Sequence, residues 1–436
     1  MDRKKIGFQQ KLTQIYPIIP SYKLPTNITT DRHPIHRWFN FIAGFSPEFV
    51  SKCIIDANLG NDSLIIDPFA GCGTTLVEAN VQGVRSIGFE AHLFLANICK
   101  SKLLIETNIE IIHAIKDDLL TIDPNEKILA EYSKASKKFL GKLIPENSLI
   151  TLVTACKKVD SYTDKKYAMA YMILSKVLDL CSHAKTDGIY KAPSTKKKAH
   201  SYDEALETVC DSISEDLLFS QFNKIKNLAK IIFQSSEDMS IVKKQSCDLL
   251  VTSPPYLNNF DYAEMTRMYL YFWSHAGNWG EITEKVRSKL IVNTTTALKG
   301  HKNSIWKYRA QIPPCVHNEL DYYFDALSEK RKVKAGKKRY NYIIYPYFYQ
   351  MTHVLKNSHN VLKDGAAAHI IVADAALYGI HIRTQEILAS IMDAVGFRDI
   401  EVIKLRSRGH RWVLDKREGT EDGLGEYQIT GYAKHT

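Results

Sequence analysis

The stretch Ser63-Leu64-Ile65-Ile66-Asp67-Pro68-Phe69-Ala70-Gly71-Cys72-Gly73-Thr74-Thr75 decides the predicted fold. Its apolar beginning predicts a short buried strand, and the residues from Asp67 onward predict a glycine-containing turn. Residues 76–80 then predict the start of a helix. A strand, a glycine loop and a helix in this order let a ligand approach the backbone at the helix N-terminus.

A second predicted strand, residues 86–89, ends at Glu90. In a doubly wound sheet, an acidic residue at the end of the second strand is placed to bind ribose hydroxyls. The loop lacks the GxGxxG pattern, and no lysine follows its second glycine, which disfavours dinucleotide-binding and P-loop functions. These residues predict an α/β protein built on a doubly wound sheet.

The stretch Asp248-Leu249-Leu250-Val251-Thr252-Ser253-Pro254-Pro255-Tyr256 carries the second pattern. It predicts a buried strand that runs into a stiff turn, because each proline fixes its own φ and pushes the preceding residue towards extended geometry. We refer to residues 253–256 as the hook. It presents a hydroxyl, backbone carbonyls and an aromatic face, which suit a flat ring with an exocyclic amine. An ordinary loop with two prolines is the alternative for this stretch alone.

The composition is that of a globular protein with two or three domains, or one domain with large insertions. The net charge of +10 favours a polyanionic partner. No apolar run has the length of a membrane span, and the N-terminus lacks the apolar segment of a signal peptide. The eight cysteines are scattered without metal-binding spacing, which favours a reducing cytoplasm and argues against structural zinc.

The chain is predicted to divide into three parts. Residues 1–110 form the first part of the catalytic domain, 111–230 a mostly helical insertion, and 231–436 the second part, with a basic insertion at about 274–340. Within the helical insertion, 185–198 are predicted to form a polar loop, and residues 274–340 are predicted to be irregular. Seven of the ten residues 330–339 are basic, which suits contact with nucleic-acid phosphates. The lysine-rich segments could equally be solvated loops.

The two patterns together resemble the S-adenosylmethionine-dependent DNA amino-methyltransferases, which methylate N4 of cytosine or N6 of adenine. The resemblance rests on Asp-Pro-Phe-x-Gly-x-Gly-Thr-Thr at 67–75 and on the hook, with support from Phe45-Ser46-Pro47-Glu48 and from Lys363-Asp364-Gly365 as a late turn before a strand. It covers roughly 33–102, 231–273 and 345–436. It implies a Rossmann-like methyltransferase sheet, S-adenosylmethionine as cofactor and duplex DNA as partner.

The resemblance also implies site residues. The family's third motif falls at Ser235-Ser236-Glu237-Asp238, where either acidic residue could face the adenine of the cofactor; Asp238 is included in the predicted set. The predicted catalytic residues are Ser253, Pro254, Pro255 and Tyr256, with Tyr256 stacking on a flipped base and no metal. The predicted cofactor-binding residues are Phe45, Ser46, Pro47, Asp67, Pro68, Phe69, Gly71, Gly73, Thr74, Thr75, Glu90 and Asp238.

Four alternatives stand beside cytosine N4. In this family Ser253 at the first hook position favours cytosine, whereas Asp or Asn there favours adenine N6. A tRNA guanine-N2 methyltransferase shares the loop and hook, but its hook usually begins with Asp and an RNA-binding domain usually precedes it. A non-catalytic nucleic-acid binder needs none of the loop and hook residues. Pro313-Pro314-Cys315 could suggest a cytosine-C5 nucleophile, but an incidental loop is favoured. No obligatory protein partner is predicted, although a cognate restriction endonuclease could accompany the protein.

Overall fold

A seven-stranded sheet forms the centre of the protein, which confirms the predicted α/β class. The computed structural model describes residues 27–39, 41, 44–187, 190–298, 300–301, 303–334, 338–408 and 424–435. The strands are β1 Leu64–Asp67, β2 Arg85–Phe89, β3 Ala184–Asp187, β4 Tyr190–Lys196, β5 Ala229–Ile232, β6 Cys247–Thr252, β7 Leu362–Ala373, β8 Ala375–Leu377, β9 Ile380–Ile382, β10 Phe397–Arg408 and β11 Leu424–Ala433. The helices are α1 Pro47–Asp56, α2 Thr74–Val81, α3 Leu93–Lys102, α4 Ile109–Leu120, α5 Glu126–Glu131, α6 Lys134–Leu140, α7 Glu146–Val159, α8 Asp164–Cys181, α9 Tyr202–Phe222, α10 Tyr262–Met265, α11 Arg267–Phe272, α12 Trp279–Lys285, α13 Ile305–Gln311, α14 His317–Val333, α15 Ile344–Val361 and α16 Thr384–Val395.

The strand order of the sheet is β10-β11-β7-β6-β1-β2-β5. Strands β5, β2, β1, β6 and β7 are parallel, whereas β11 runs antiparallel to both of its neighbours, β7 and β10. The strand order reverses direction at β1, with β2 on one side and β6 on the other. Ligands of open α/β sheets bind outside the carboxyl ends of the strands at such a switch point. The sheet therefore has the doubly wound, Rossmann-like topology predicted for a methyltransferase.

Helix α1 begins at Pro47, directly after Ser46. The Ser46 hydroxyl accepts a hydrogen bond from the Phe49 amide at 3.2 Å, and Pro47 occupies the first turn. Both features suit a helix N-terminus, since the serine satisfies an amide that the helix leaves unpaired and the proline has no amide to satisfy. The late strands β10 and β11 pair antiparallel to each other.

The insertions are more regular than the sequence analysis predicts. Residues 111–230 contain the remainder of α4, helices α5–α9 and the hairpin β3–β4, which replaces the predicted loop at 185–198. Residues 274–340, predicted to be irregular, contain helices α12–α14. Helix α14 buries Leu320, Tyr323 and Leu327 at helical spacing, a pattern that its many charged residues obscure. The three-part domain division stays a prediction.

Asp216 of α9 fixes the segment before α1 to the helical insertion. Its buried carboxylate accepts hydrogen bonds from the Ile35 amide at 2.7 Å, from the Trp38 indole at 2.9 Å and from the Arg37 guanidinium at 2.7 Å. We expect Asp216→Asn to lower the free energy of unfolding by about 2 kcal/mol. The NH₂ group of the new asparagine would point at N–H donors that the Asp216 carboxylate now accepts from, and these would lose their acceptor. Denaturant unfolding measures this change. The control Glu215→Gln alters an exposed partner of Arg37, so it should change stability by less than about 0.5 kcal/mol.

Candidate active site

Asp67, at the carboxyl end of β1, joins three parts of the site. It accepts hydrogen bonds from the Thr75 hydroxyl at 2.6 Å, from the Thr252 hydroxyl at 2.6 Å and from the Phe69 amide at 3.0 Å. Burial raises its pKa to about 6, although these hydrogen bonds act in the opposite direction. Because Thr252 directly precedes the hook, Asp67 holds the glycine loop and the hook in one arrangement.

The glycine loop requires glycine at two positions for different reasons. Gly73 has φ of +90°, and a Cβ there would lie 2.6 Å from the Cys99 sulfur, so this glycine permits close packing of the loop on α3. Gly71 has φ of +54°, but a Cβ there would meet no heavy atom within 4 Å. Gly71 lines the cleft described below. Its missing side chain therefore leaves space for a ligand.

Glu90 follows β2 and turns back to the glycine loop. Its carboxylate accepts hydrogen bonds from the Gly71 amide at 2.8 Å and from the His92 amide at 2.7 Å. Desolvation by burial raises the pKa of Glu90 to about 7, which these hydrogen bonds only partly offset. Each carboxylate oxygen has a further lone pair. Glu90 thus braces the loop and can still accept hydrogen bonds from hydroxyl groups of a ligand.

The hook follows β6 and is held from behind. The Tyr347 hydroxyl donates to the Pro255 carbonyl at 3.0 Å, and the Asn293 side-chain amide donates to the Tyr256 carbonyl at 3.1 Å. The Ser253 hydroxyl donates to the Tyr256 hydroxyl at 3.3 Å. The first two bonds pair backbone carbonyls of the hook with donors from outside it, whereas the third joins two side chains within it. They fix the hook rigidly at the strand end.

The loop, Glu90 and the hook face one cleft of about 830 Å³ at the carboxyl ends of β1, β2 and β6. Pro254 and Tyr256 are buried beside the cleft, and the Tyr256 ring is 9% exposed. The predicted residues that line the cleft are Phe45, Asp67, Pro68, Phe69, Gly71, Thr74, Glu90, Ser253 and Pro255.

Other predicted residues lie outside the cleft lining. Ser46 and Pro47 begin α1, and Thr75 is buried against Asp67. Asp238 is exposed, and its carboxylate accepts a hydrogen bond from the Ser240 amide at 2.9 Å, which lowers its pKa. From the same turn, Gln234 and the two serines at 235–236 line the cleft instead.

His92 is a cleft residue that the sequence analysis did not select. Its Nε2 lies 2.7 Å from the Thr266 hydroxyl oxygen, and that hydroxyl donates to the Tyr262 carbonyl at 3.0 Å. Because the Thr266 hydroxyl gives its proton to the Tyr262 carbonyl, it accepts a hydrogen bond from His92 Nε2–H. In the neutral ring, Nδ1 then has no hydrogen and keeps a lone pair. Burial lowers the pKa of His92 to about 3, which keeps the ring neutral.

The segment after the hook contributes further to the cleft. Tyr262 begins α10, and the turn after α12 adds Lys289, Leu290 and Ile291. The position of His92, two residues beyond Glu90, could have been read from the strand-end rule. The turn at 289–291 could not, because only tertiary packing brings it to the cleft.

Cys315 and possible metal-binding or membrane-spanning features lie outside this cleft or are not found among the described residues. Cys315 lies in an exposed turn, its sulfur is 3.8 Å from the Ser390 carbonyl, and it does not line the cleft, which disfavours a cytosine-C5 nucleophile. Among the described residues, no cluster of His, Cys, Asp or Glu could hold a metal ion. Within the same residues, no helix combines the length and apolar character needed to cross a membrane.

The strand order and the position of the cleft are those of a Rossmann-like, doubly wound fold. A family model for N6 and N4 enzymes, described as DNA methylase, matches residues 4–101. The chain is 23% identical to the Type II methyltransferase M.BsoBI of Geobacillus stearothermophilus, over 88% of this chain and 83% of that protein. It is 22% identical to the Type II methyltransferase M.AvaI of a Nostoc species and of Anabaena variabilis, over 85% of this chain and 81% of each relative. These findings confirm the predicted resemblance and support assigning the chain to the DNA methyltransferases of the N4/N6 family.

Proposed function

We propose that the protein is a site-specific DNA methyltransferase that transfers a methyl group from S-adenosylmethionine to N4 of cytosine in duplex DNA. One observation carries the proposal: Glu90 and Gly71, suited to a nucleoside cofactor, line the same cleft as Ser253 of the hook. The relatives named above, which are Type II methyltransferases, support a Type II assignment; an accompanying restriction endonuclease stays a prediction. A DNA substrate also agrees with the predicted cytoplasmic location.

The residues of the cleft fit the proposed cofactor. Glu90 can accept hydrogen bonds from ribose hydroxyls, and the open position beside Gly71 lets the cofactor approach the backbone. Residues 234–236, at the end of the neighbouring strand β5, are proposed to face the adenine in place of Asp238. Phe45, before α1, is proposed to face the methionine end.

The hook is proposed to receive the flipped base. The exocyclic amine of cytosine is a poor nucleophile because its lone pair is delocalised into the ring. Hydrogen bonds from this amine to the Ser253 hydroxyl and the Pro254 carbonyl would favour a more tetrahedral nitrogen. When bound, S-adenosylmethionine would supply the methyl group: the methyl carbon would bond to this nitrogen as its bond to sulfur breaks, the electron pair would stay on sulfur, and the nitrogen would release one proton to water. The rigid hook contributes orientation.

Ser253 is the basis for proposing cytosine rather than adenine. Nucleoside mass spectrometry of duplex DNA methylated by the protein distinguishes the products. N4-methylcytosine is the expected product, and N6-methyladenine would keep the fold and hook roles but overturn the base assignment. Methyl transfer to tRNA alone would assign the protein to the guanine-N2 enzymes.

We expect cofactor affinity to depend on pH through Glu90. The ionised carboxylate accepts hydrogen bonds from hydroxyls better than the protonated form, so cofactor binding should lower its pKa from about 7. By linkage, affinity should weaken as the pH falls below about 7, by up to about tenfold per pH unit. Calorimetric titration of the protein with the cofactor measures this effect over a pH range of roughly 5.5 to 8, which brackets the pKa of Glu90. In Glu90→Gln the dependence should disappear; an unchanged dependence would exclude Glu90 as its source.

The basic segments 185–198 and 330–339 are proposed to contact DNA phosphates. The hairpin strand β4 contacts α10, which carries the cleft residue Tyr262. The carbonyl of Lys338 accepts a hydrogen bond from the Tyr378 hydroxyl at 2.9 Å, and Tyr378 lies between β8 and β9, just beyond the carboxyl end of β7. These contacts favour a position of β4 and Lys338 on the cleft side of the sheet.

Neutralising exposed lysines of these segments should weaken binding to all DNA sequences about equally. The variant replaces Lys198, Lys332, Lys334 and Lys338 with Gln, and each lost phosphate contact should reduce the salt slope by about 1. Fluorescence anisotropy at several salt concentrations measures the slope. The matched control replaces the exposed Lys224, Lys226, Lys243 and Lys244, which precede β5 and β6 at the opposite edge. Equal slopes in the two variants would contradict the proposed docking face.

A further inference from the structure

A chain of hydrogen bonds runs from the cleft wall to a buried carboxylate. Ser253 donates to the Tyr256 hydroxyl at 3.3 Å, and Tyr256 donates to Glu426 Oε1 at 3.1 Å. The other oxygen of Glu426 accepts from Arg406 Nε at 2.7 Å. Ser253 lines the cleft, whereas Tyr256 is 9% exposed and Glu426 is 6% exposed. The two buried groups therefore act on the cleft through Ser253.

The donors and acceptors give this chain a direction. An ionised carboxylate can only accept hydrogen bonds, so Tyr256 gives its single proton to Glu426. The Tyr256 oxygen then offers only lone pairs to Ser253, and the Ser253 proton points towards Tyr256. Arg406 holds the second carboxylate oxygen, which fixes the oxygen that faces Tyr256. The Ser253 oxygen consequently presents only lone pairs to the cleft.

We propose that Glu426 is a positioning residue that makes Ser253 an obligatory hydrogen-bond acceptor for the exocyclic amine of the target base. The inference rests on the proposed amino-methylation. A serine hydroxyl without such a partner can rotate and either donate or accept. When its proton is directed away from the cleft, Ser253 accepts an amine N–H and leaves the nitrogen lone pair for the methyl carbon.

The same direction selects the class of base. Cytosine and adenine present an amine at the corresponding ring edge, whereas thymine and guanine present a carbonyl oxygen. A carbonyl facing an acceptor-only hydroxyl leaves both groups without a hydrogen, a mismatch that polar sites reject strongly. Glu426 would therefore exclude thymine and guanine from the hook through Tyr256 and Ser253, without touching the base.

A double-mutant cycle tests whether Glu426 acts through Ser253. The expected single-turnover rate of Glu426→Gln is about 10- to 100-fold below that of the wild type, with unchanged KM for DNA. In the Ser253→Ala background, the same change should cost less than about threefold, because coupled residues are not additive. Multiplicative losses in the double variant would overturn the proposal.

Tyr256→Phe provides a second test that keeps the buried ring and removes only the hydroxyl. It should match the loss of Glu426→Gln, and combining the two changes should add little; a wild-type rate in Tyr256→Phe would overturn the proposal. Glu401→Gln, an exposed carboxylate on β10, is the control and should keep the wild-type rate. Thermal unfolding and cofactor affinity establish that each variant is folded. If the wild type methylates no exocyclic amine, the proposed function fails; if it does and both variants keep its rate, only this inference fails.

Discussion

Ser253→Ala is expected to lower the rate of methyl transfer by about 100-fold or more, as removing one aligned hydrogen-bonding group from a preorganised site often does. The hydroxyl faces the cleft and is held by the rigid turn. Its bond to the amine strengthens as the nitrogen becomes tetrahedral, so its loss should affect the transition state more than the bound complex. Single-turnover kinetics with labelled cofactor should therefore show a reduced rate, and DNA affinity should change by less than about threefold.

The control for this experiment is Ser288→Ala, which removes an exposed hydroxyl bonded to the Glu284 carbonyl within the basic insertion. Its rate should equal that of the wild type. A Ser253→Ala enzyme that loses DNA affinity in proportion to its rate would indicate a binding role for Ser253. The product of the residual reaction should still be N4-methylcytosine, because the remaining hook residues hold the same base.

Gly71→Val is expected to weaken S-adenosylmethionine binding by about 100-fold, since overfilling a packed space costs about 1–3 kcal/mol and each 1.4 kcal/mol is a factor of ten. A Cβ at Gly71 meets no heavy atom within 4 Å, so the new side chain would begin in the open space of the cleft. Isothermal titration calorimetry measures the affinity directly. Unchanged affinity in a folded Gly71→Val protein would remove the glycine loop from the cofactor site.

Gly60→Val is the matched control for this change. A Cβ at Gly60 also meets nothing within 4 Å, but Gly60 is exposed and outside the cleft. Its cofactor affinity should equal that of the wild type. Gly71 has φ of +54°, where a β-branched residue is strained. The smaller Gly71→Ala variant, measured beside it, shows how much of the loss comes from the backbone.

Local sequence patterns are sufficient to predict those features that residues adjacent in the chain determine. The Ser46 cap, the loop containing Gly71 and Gly73, and the strand ends at Asp67 and Ser253 all follow from short-range rules of backbone geometry. Parallel strands then bring their carboxyl ends to one edge, so the meeting of loop and hook could also be predicted.

Other features depend on contacts that no local pattern contains. Glu426 reaches Tyr256 across 170 residues because β11 pairs between β7 and β10. The predicted turn at 363–365 lies within β7, at a register shift where the pairing with β6 passes from Leu362 to Ala367, and Gly365 there has φ of +76°. The many basic residues of 274–340 obscured the periodicity of three helices. Charged residues on the solvent side of a helix do not indicate which residues form its buried face.

The position of β11 also bears on the order in which the protein can fold during synthesis. β11 is made after β10 but separates it from β7, so β10 cannot join the sheet until the ribosome has produced both strands. The Thr252–Asp67 contact likewise closes 185 residues of chain, and such distant contacts form slowly. We therefore expect nascent chains that end before Glu426 to leave β7 as an unpaired edge, prone to association with other chains. An incomplete chain would thus lack both the finished sheet and the group that orients Ser253, so methylation should begin only after synthesis has passed β11.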